Sequence, residues 1–382
     1  MDFELTQEQA ELVAMAAGLA TRQQPTPQVS WKDAGEFPWE FARELAEHGL
    51  TGISIPESIG GQGLGLMEAV LVLEAVGSNA PHLADAVQAT NFGAIQQIAA
   101  FAGEKARQDV LSPILQGNAL ATIGMSEPGA GSAVSHLRTR AVRDGRFVRI
   151  TGHKIFNSNG PHATHYVVWA RFGEERDQVG AVIVPADAPG FSRGKTERFL
   201  SGEAHCALIF DDARVPVEYV LMERDGIRKL MSVFNIERLG NATRSLAFGE
   251  LALRLALEHL TERETGGRRL FDYQGLQWKI ADLKLRLEGA RLLLLRAACE
   301  GRGGGAPSSL NTSLAKLACN ESGFEAANQA LQIFGGYGFS TEYPFQYLLM
   351  RTRGWMIAGG SVELQRDRIF KELTRERRAR ST

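Results

Sequence analysis

The chain is short of cysteine, of net charge and of long apolar runs, and each shortage removes a class of function. Three cysteines in 382 residues, Cys206, Cys299 and Cys319, are too scattered for a disulfide framework or a structural metal site. An odd, sparse set fits reduced thiols and a cytoplasmic location, with no metal expected. With 42 basic and 44 acidic side chains the net charge is −2, which gives no footing for nucleic acid or an anionic membrane surface. No apolar stretch approaches the ~20 residues of a membrane span. The four leucines from 292 to 295 are bounded by Arg291 and Arg296. The opening Met1-Asp2-Phe3-Glu4 is acidic, unlike a signal or transit peptide. Internal repeats and low-complexity segments are also missing.

The length predicts two or three domains, and the texture divides the chain into three. Residues 1–120 read as helical. A helix over Phe41 and Leu45 stops at His48-Gly49, a breaker-rich connector occupies 55–63, and another helix covers about 66–76. Residues 121–225 read as an antiparallel β domain. There Asp144-Gly145 signals a two-residue hairpin, and β-type runs follow at 166–170, 181–184 and 207–210. Residues 226–382 are helical again. Leu283, Leu287, Ala290, Leu294, Ala297 and Ala298 recur on one helical face, and a breaker-rich loop spans 301–307. The expected fold is α+β and multidomain, with an N-terminal all-α domain, a middle antiparallel β domain and a C-terminal four-helix bundle.

The most informative segment is Met125-Ser126-Glu127-Pro128-Gly129-Ala130-Gly131-Ser132. Glycines without Cβ let backbone N–H groups approach a ligand, such groups form a concave anion site, and flanking hydroxyls add donors. Alone, the segment is equally an ordinary turn. Its companions come in order: Pro56-Glu57 with Gly60-Gly61-Gln62-Gly63, Lys154-Ile155-Phe156-Asn157-Ser158, and the Phe210-Asp211-Asp212 to Val215-Pro216 turn. Then follow Arg263, Leu270 and Gln274, the run from Gln332 through Gly335-Gly336 to Phe339, and Gly359-Gly360-Ser361-Val362-Glu363. Together these resemble the acyl-CoA dehydrogenase family of flavoproteins over nearly the whole chain.

The resemblance implies FAD as cofactor and removal of two hydrogens from an acyl-CoA. Met125, Ser126 and Gly131 would bind the flavin ring, and Ser132 the pyrophosphate. Phe156 would cover one ring face, and Ser158 would approach N5. Without the motif, Phe156 would read as a core aromatic. The family pattern is a tetramer, here a homotetramer built as a dimer of dimers. In it Arg263, Gln274, Gln332, Gly335 and Gly336 would grip a neighbour's FAD, with Ser361 and Glu363 also at the cofactor. Arginine suits phosphate because its planar fork matches the oxygens. The implied electron acceptor is an electron-transferring flavoprotein.

The family reaction needs a carboxylate to take the α-proton and donors aimed at the thioester oxygen. Most relatives carry that carboxylate in a Glu-Gly-Thr motif, where this chain has Gly359. A rarer placement, resembling isovaleryl- and long-chain acyl-CoA dehydrogenases, puts it on a C-terminal-domain helix one residue before an arginine. Phe234-Asn235-Ile236-Glu237-Arg238 matches that placement. Glu237 is therefore the candidate base and Gly359 N–H a candidate donor to the thioester, with Asn235 and Arg238 toward the substrate. Alone, Glu237 would be a helix-surface glutamate in a salt bridge. Ala133 stands where relatives carry aspartate, Gly266-Gly267 replaces Phe-Gly, and the connector around Leu221–Gly226 is reduced. A carrier-protein-tethered acyl group, an O₂-using oxidase and a non-catalytic FAD-binding subunit of a hetero-oligomer remain alternatives.

Overall fold

A computed structural model describes residues 4–22, 36–175, 177–301 and 305–380, the side chains of 376–380 excepted. The N-terminal region is helical: α1 (Gln7–Arg22), α2 (Trp39–Glu47), α3 (Leu66–Asn79), α4 (Ala84–Asn91) and α5 (Ala94–Phe101). A short α6 (Glu104–Ala106) continues through a π-helical turn into α7 (Ser112–Leu115). Helix α2 ends where Gly49 adopts φ +68°, the left-handed stop that glycine makes cheaply. Helix α3 starts with Glu68 accepting from the Gly65 N–H at 2.9 Å, which satisfies one orphan donor of the first turn. Three further residues beyond the expected end of α3 are helical.

Eight strands form one sheet: β1 (Ala121–Gly124), β2 (Arg140–Asp144), β3 (Phe147–Ser158), β4 (His165–Arg171), β5 (Val179–Pro185), β6 (Phe191–Arg198), β7 (Ala204–Pro216) and β8 (Val220–Met222). The main path runs β6-β7-β3-β2-β4-β5-β8, and β1 pairs with β4. Asp144 pairs with Phe147, so Gly145 and Arg146 form the expected hairpin turn, one residue later than the dipeptide suggests. Gly145 takes φ +59° at its first position. The sheet is not wholly antiparallel. β1 runs parallel to β4, and one β2–β4 pair is parallel too. The long segment between β1 and β4, which contains the β2–β3 hairpin, supplies the crossover that a parallel pair requires. β4 and β5 are buried on both faces, which is why their sequences are continuous apolar runs without alternation. The expected 210–216 turn is instead a bulge inside β7: Asp212 has φ +54° and the β3–β7 register slips between Ile150 and Gly152.

The C-terminal region comprises α8 (Gly226–Glu262), a two-stranded hairpin of β9 (Glu264–Thr265) and β10 (Arg268–Arg269), then α9 (Gln274–Glu300), α10 (Ser309–Phe334), α11 (Phe345–Trp355) and α12 (Val362–Arg380). The buried face of α9 is made of the six residues that the helical spacing picked out. Part of the 301–307 connector falls outside the described residues.

Two compact units result. One holds residues 36–64 and Asp85–Glu237. Its core packs Ile95, Ile98, Val110 and Leu111 of the helices with Val167, Trp169 and Ile183 of the sheet. The other holds the N-terminal helix, Gly65–Ala84 and the chain from Arg238 onward. In it α1 packs on α3, α3 on α9, and α9, α11 and α12 on α10. No helix among the described residues is long and apolar enough to cross a membrane.

Candidate active site

In the sheet unit the 125–132 loop leaves β1 and closes at once into a tight turn, with Glu127 and Ala130 exchanging both backbone hydrogen bonds. The Glu127 side chain turns inward. It accepts from the Arg138 and Thr139 N–H groups at 2.6 and 3.0 Å and from Lys154 Nζ at 2.8 Å. Lys154 also donates to Met125 O at 3.1 Å. Both ends of this ion pair are buried. Burial opposes the Glu127 charge, but the Lys154 ammonium and the N–H donors outweigh it and hold the carboxyl below its ordinary range. Burial pushes the lysine down to about 8 against the pull of Glu127. The pair fixes the base of the loop while Gly129, Gly131 and Ser132 stay exposed. A Cβ built on Gly129 or Gly131 would meet nothing within 4 Å, so the loop's outer side is open for a ligand.

Opposite that loop, β3 carries a bulge: its pairing with β7 slips between Lys154 and Asn157. Ile155 N donates to Ser126 O at 2.9 Å, tying bulge and loop together. Phe156 sits on the bulge at φ +58° and is 57% exposed. A left-handed aromatic displayed to solvent is costly twice over, in backbone strain and in apolar exposure. His205, across the strand pair from Ser158, has Nδ1 3.3 Å from Phe156 O. Its Nε2 lies 3.4 Å from Glu203 Oε1, so the ring bridges the Phe156 carbonyl and a carboxylate. The His205 ring stacks on Phe199 at 3.9 Å. Ser158 is exposed beside Phe156, so Met125, Ser126, Gly131, Ser132, Phe156 and Ser158 belong to one loop-and-bulge surface.

Asn235 and Glu237 lie on α8 in the same unit. Asn235 is buried and Glu237 half-buried. Glu237 Oε2 accepts from Gln88 Nε2 of α4 at 2.9 Å. A Cβ on Gly93 would come within 3.2 Å of that oxygen, so the glycine leaves room for the carboxyl.

The helical unit holds the remaining candidates. Gly359 and Gly360 take φ +72° and +97°, and Arg238 Nε donates to Gly359 O at 2.9 Å. Lys316, fully buried, donates to Trp355 O at 2.9 Å and Asn320 Oδ1 at 3.1 Å on the approach to the same turn. Burial, reinforced by the charges of Arg238 and Arg368, pushes Lys316 down to about 7. Ser361 caps α12 by accepting from Leu364 N at 3.4 Å, and Glu363 lies exposed in its first turn. Arg263, Gly335 and Gly336 line an open depression of about 510 Å³ with His259, Phe334 and Tyr337. Arg263 lies over the Tyr337 ring at 5.8 Å. Gln274 and Gln332 are exposed but do not line it. Gly266 and Gly267, both at positive φ, make the β9–β10 hairpin turn.

Family models cover the chain in three successive pieces. They are the acyl-CoA dehydrogenase N-terminal domain over residues 6–118, the middle domain over 122–213 and the C-terminal domain over 224–374. An acyl-CoA dehydrogenase of Bacillus subtilis (strain 168) is 31% identical over 374 residues, 97% of this chain and 98% of its own. The chain belongs to the acyl-CoA dehydrogenase family. Among solved structures, the butyryl-CoA dehydrogenase of Megasphaera elsdenii superimposes with a TM-score of 0.91 at 29% identity, covering 98% of this chain and 100% of its own. A glutaryl-CoA dehydrogenase of Mycobacterium smegmatis in complex with FADH2 gives 0.89 at 25% identity, covering 97% and 95%. As in the family, this acyl-CoA dehydrogenase has an N-terminal helical, a middle β and a C-terminal helical domain.

Sequence reasoning missed Gln88, the Glu127–Lys154 pair and His205. Lys154 left one signal: it falls on a strand face shared with Ile150, where an unpaired charge is not tolerated. Gln88 left none, since a glutamine on a short helix has no pattern.

Proposed function

We propose that Glu237 is the base with which this acyl-CoA dehydrogenase takes the α-proton of its thioester substrate. The chain is an FAD-dependent enzyme acting on CH–CH groups of acyl-CoA. The observation that carries the proposal is the setting of Glu237. Its carboxylate is half-buried and hydrogen-bonded by Gln88, and a glycine faces it. The terminal loop offers no carboxylate at position 359.

The loop-and-bulge surface fits FAD, because its two open glycines, exposed hydroxyls and displayed aromatic suit a flat ring joined to a pyrophosphate. Met125, Ser126 and Gly131 would hold the ring, Ser132 the pyrophosphate and Ser158 the N5 edge, with Phe156 against one face. When bound, FAD supplies the hydride acceptor. Glu237 receives the α-proton, and Gly359 N–H donates to the thioester oxygen, where negative charge develops. Asn235 and Arg238 serve the substrate.

Arg263, Gln274, Gln332, Gly335, Gly336, Ser361 and Glu363 are proposed to complete a neighbouring subunit's cofactor site in a homotetramer. The boundaries 1–120, 121–225 and 226–382, an electron-transferring flavoprotein as acceptor and a cytoplasmic location belong to the same reading. Three free cysteines support the last. The test is anaerobic reduction of the purified holoenzyme by short, branched, long and aromatic acyl-CoAs, with acylated carrier protein as a separate arm. Glu237→Gln is expected to retain yellow FAD and lose substrate bleaching. Bleaching at near wild-type rate would remove Glu237 from the role.

A further inference from the structure

The stretch from α4 into α5 is unusual for a buried segment in carrying five polar side chains: Gln88, Thr90, Asn91, Gln96 and Gln97. Most are accounted for by the scaffold. Thr90 donates to Ala86 O, and Asn91 donates to Leu50 O and accepts from Ile53 N. Gln96 donates to Asn91 O and Ser54 Oγ, and Gln97 accepts from Trp169 Nε1. Gln88 differs. Its Nε2 donates at 2.9 Å to a carboxylate 149 residues away in sequence. Among the described residues its Oε1, like Gln97 Nε2, is buried with no hydrogen-bond partner. A buried acceptor left unmade costs free energy and calls for an explanation.

We propose that Gln88 is a positioning residue for Glu237, its amide serving both protonation states of that carboxyl. The proposal rests on Glu237 being the base. Before reaction Nε2 donates to the carboxylate and fixes its direction. Proton transfer breaks the substrate's α C–H bond, the proton goes to a Glu237 oxygen, and the bonding electron pair stays on the substrate carbon. The product is a carboxylic acid, whose new O–H requires an acceptor where the carboxylate oxygen had taken a donor. A half-turn of the Gln88 amide about Cγ–Cδ brings Oε1 to that position. The amide carries a donor and an acceptor on one terminal group, whereas methionine or leucine in its place carries no donor. Gly93, with no side chain to intrude on Glu237 Oε2, leaves the carboxyl free to change partner orientation.

The test uses the holoenzyme with Gln88→Met, Gln88→Leu as a second apolar replacement, Glu237→Asp, Glu237→Gln and the double variant Gln88→Met/Glu237→Asp. Anaerobic stopped-flow gives the limiting bleaching rate and, from its substrate dependence, the dissociation constant. Gln88→Met is expected to lower the limiting rate at least tenfold with the dissociation constant within twofold. In the Glu237→Asp background, where the shortened carboxyl is out of reach, the further loss is expected to stay under twofold. Wild-type rates in Gln88→Met and Gln88→Leu, a change in the dissociation constant alone, or the same tenfold loss in the Glu237→Asp background would overturn the assignment. A readout without turnover is the infrared carboxylate band of ¹³C-glutamate protein that disappears in Glu237→Gln. The band is expected to move in Gln88→Met, and an unmoved band refutes the hydrogen bond. Failure of the base reading itself is seen separately, as surviving bleaching in Glu237→Gln.

Discussion

At Phe156 two costs coincide, a left-handed backbone and an exposed phenyl ring. The left-handed region costs a residue with Cβ about 1–2 kcal/mol, while glycine enters it freely. The neighbours that hold the bulge, Lys154 and His205, act on its backbone and its base and not on the ring. The strain can therefore be separated from the side chain. In apo protein, Phe156→Gly is expected to unfold in denaturant with a stability about 1 kcal/mol above Phe156→Ala, since alanine keeps the strain and loses the ring. Both are expected to release FAD more readily than wild type, measured by equilibrium dialysis. Alanine matching or exceeding glycine in stability would remove backbone strain from the account. The position of Phe156 was legible in the sequence through the motif Lys154 to Ser158. Its φ, and the reason for its display, were not, because they depend on a register slip between β3 and β7.

At the level of elements, α8 and α10 cross where Gly249 meets Gly323. A Cβ on Gly249 would lie 2.9 Å from the Gly323 Cα, and one on Gly323 would collide with the backbone oxygen of Ser245. Backbone cannot swing aside as a side chain can, so the helices must part. Overpacking of this kind costs about 1–3 kcal/mol and more where backbone must move. Gly323→Ala is expected to lower stability by about 3 kcal/mol in guanidinium unfolding, and Gly275→Ala, in open space on α9, by none. Equal stability of the two variants would show that the crossing adapts. This crossing was illegible because a glycine inside a helix reads as a weakness rather than as a contact. The α9 face was legible because burial on one side forces the helical period. Strand β6 was not: it is an edge strand with mostly exposed side chains, held by backbone pairing to β7 and free of any alternation. The Gly266-Gly267 turn had the right chemistry for a hairpin, but the flanking strands are two residues each, too short to show a period.

Across the whole molecule the family was legible because several short motifs keep their order over the full chain, although none decides the matter alone. The same scale shows where stability should depend on pH. Lys154 and Lys316 are buried lysines in different units, brought down to about 8 and about 7. In the unfolded chain each would titrate at the ordinary lysine value near 10.5. Between about pH 7 and 10.5 the unfolded chain therefore binds protons that the folded chain has released, and stability rises with pH wherever that is so. The gain is bounded above pH 9 by buried Cys319, whose thiol is pushed up by burial and so opposes the trend only at higher pH. Wild type is expected to gain on the order of 1–2 kcal/mol per buried lysine between pH 7 and 9, measured as a rising guanidinium midpoint. Lys316→Met is expected to flatten that rise by the share belonging to Lys316. It should also be less stable at every pH, since Trp355 O and Asn320 Oδ1 lose their donor. A midpoint that falls from pH 7 to 9 in wild type, or a slope unchanged in Lys316→Met, would mean that Lys316 stays protonated through this range and that its two hydrogen bonds outweigh the cost of burying its charge.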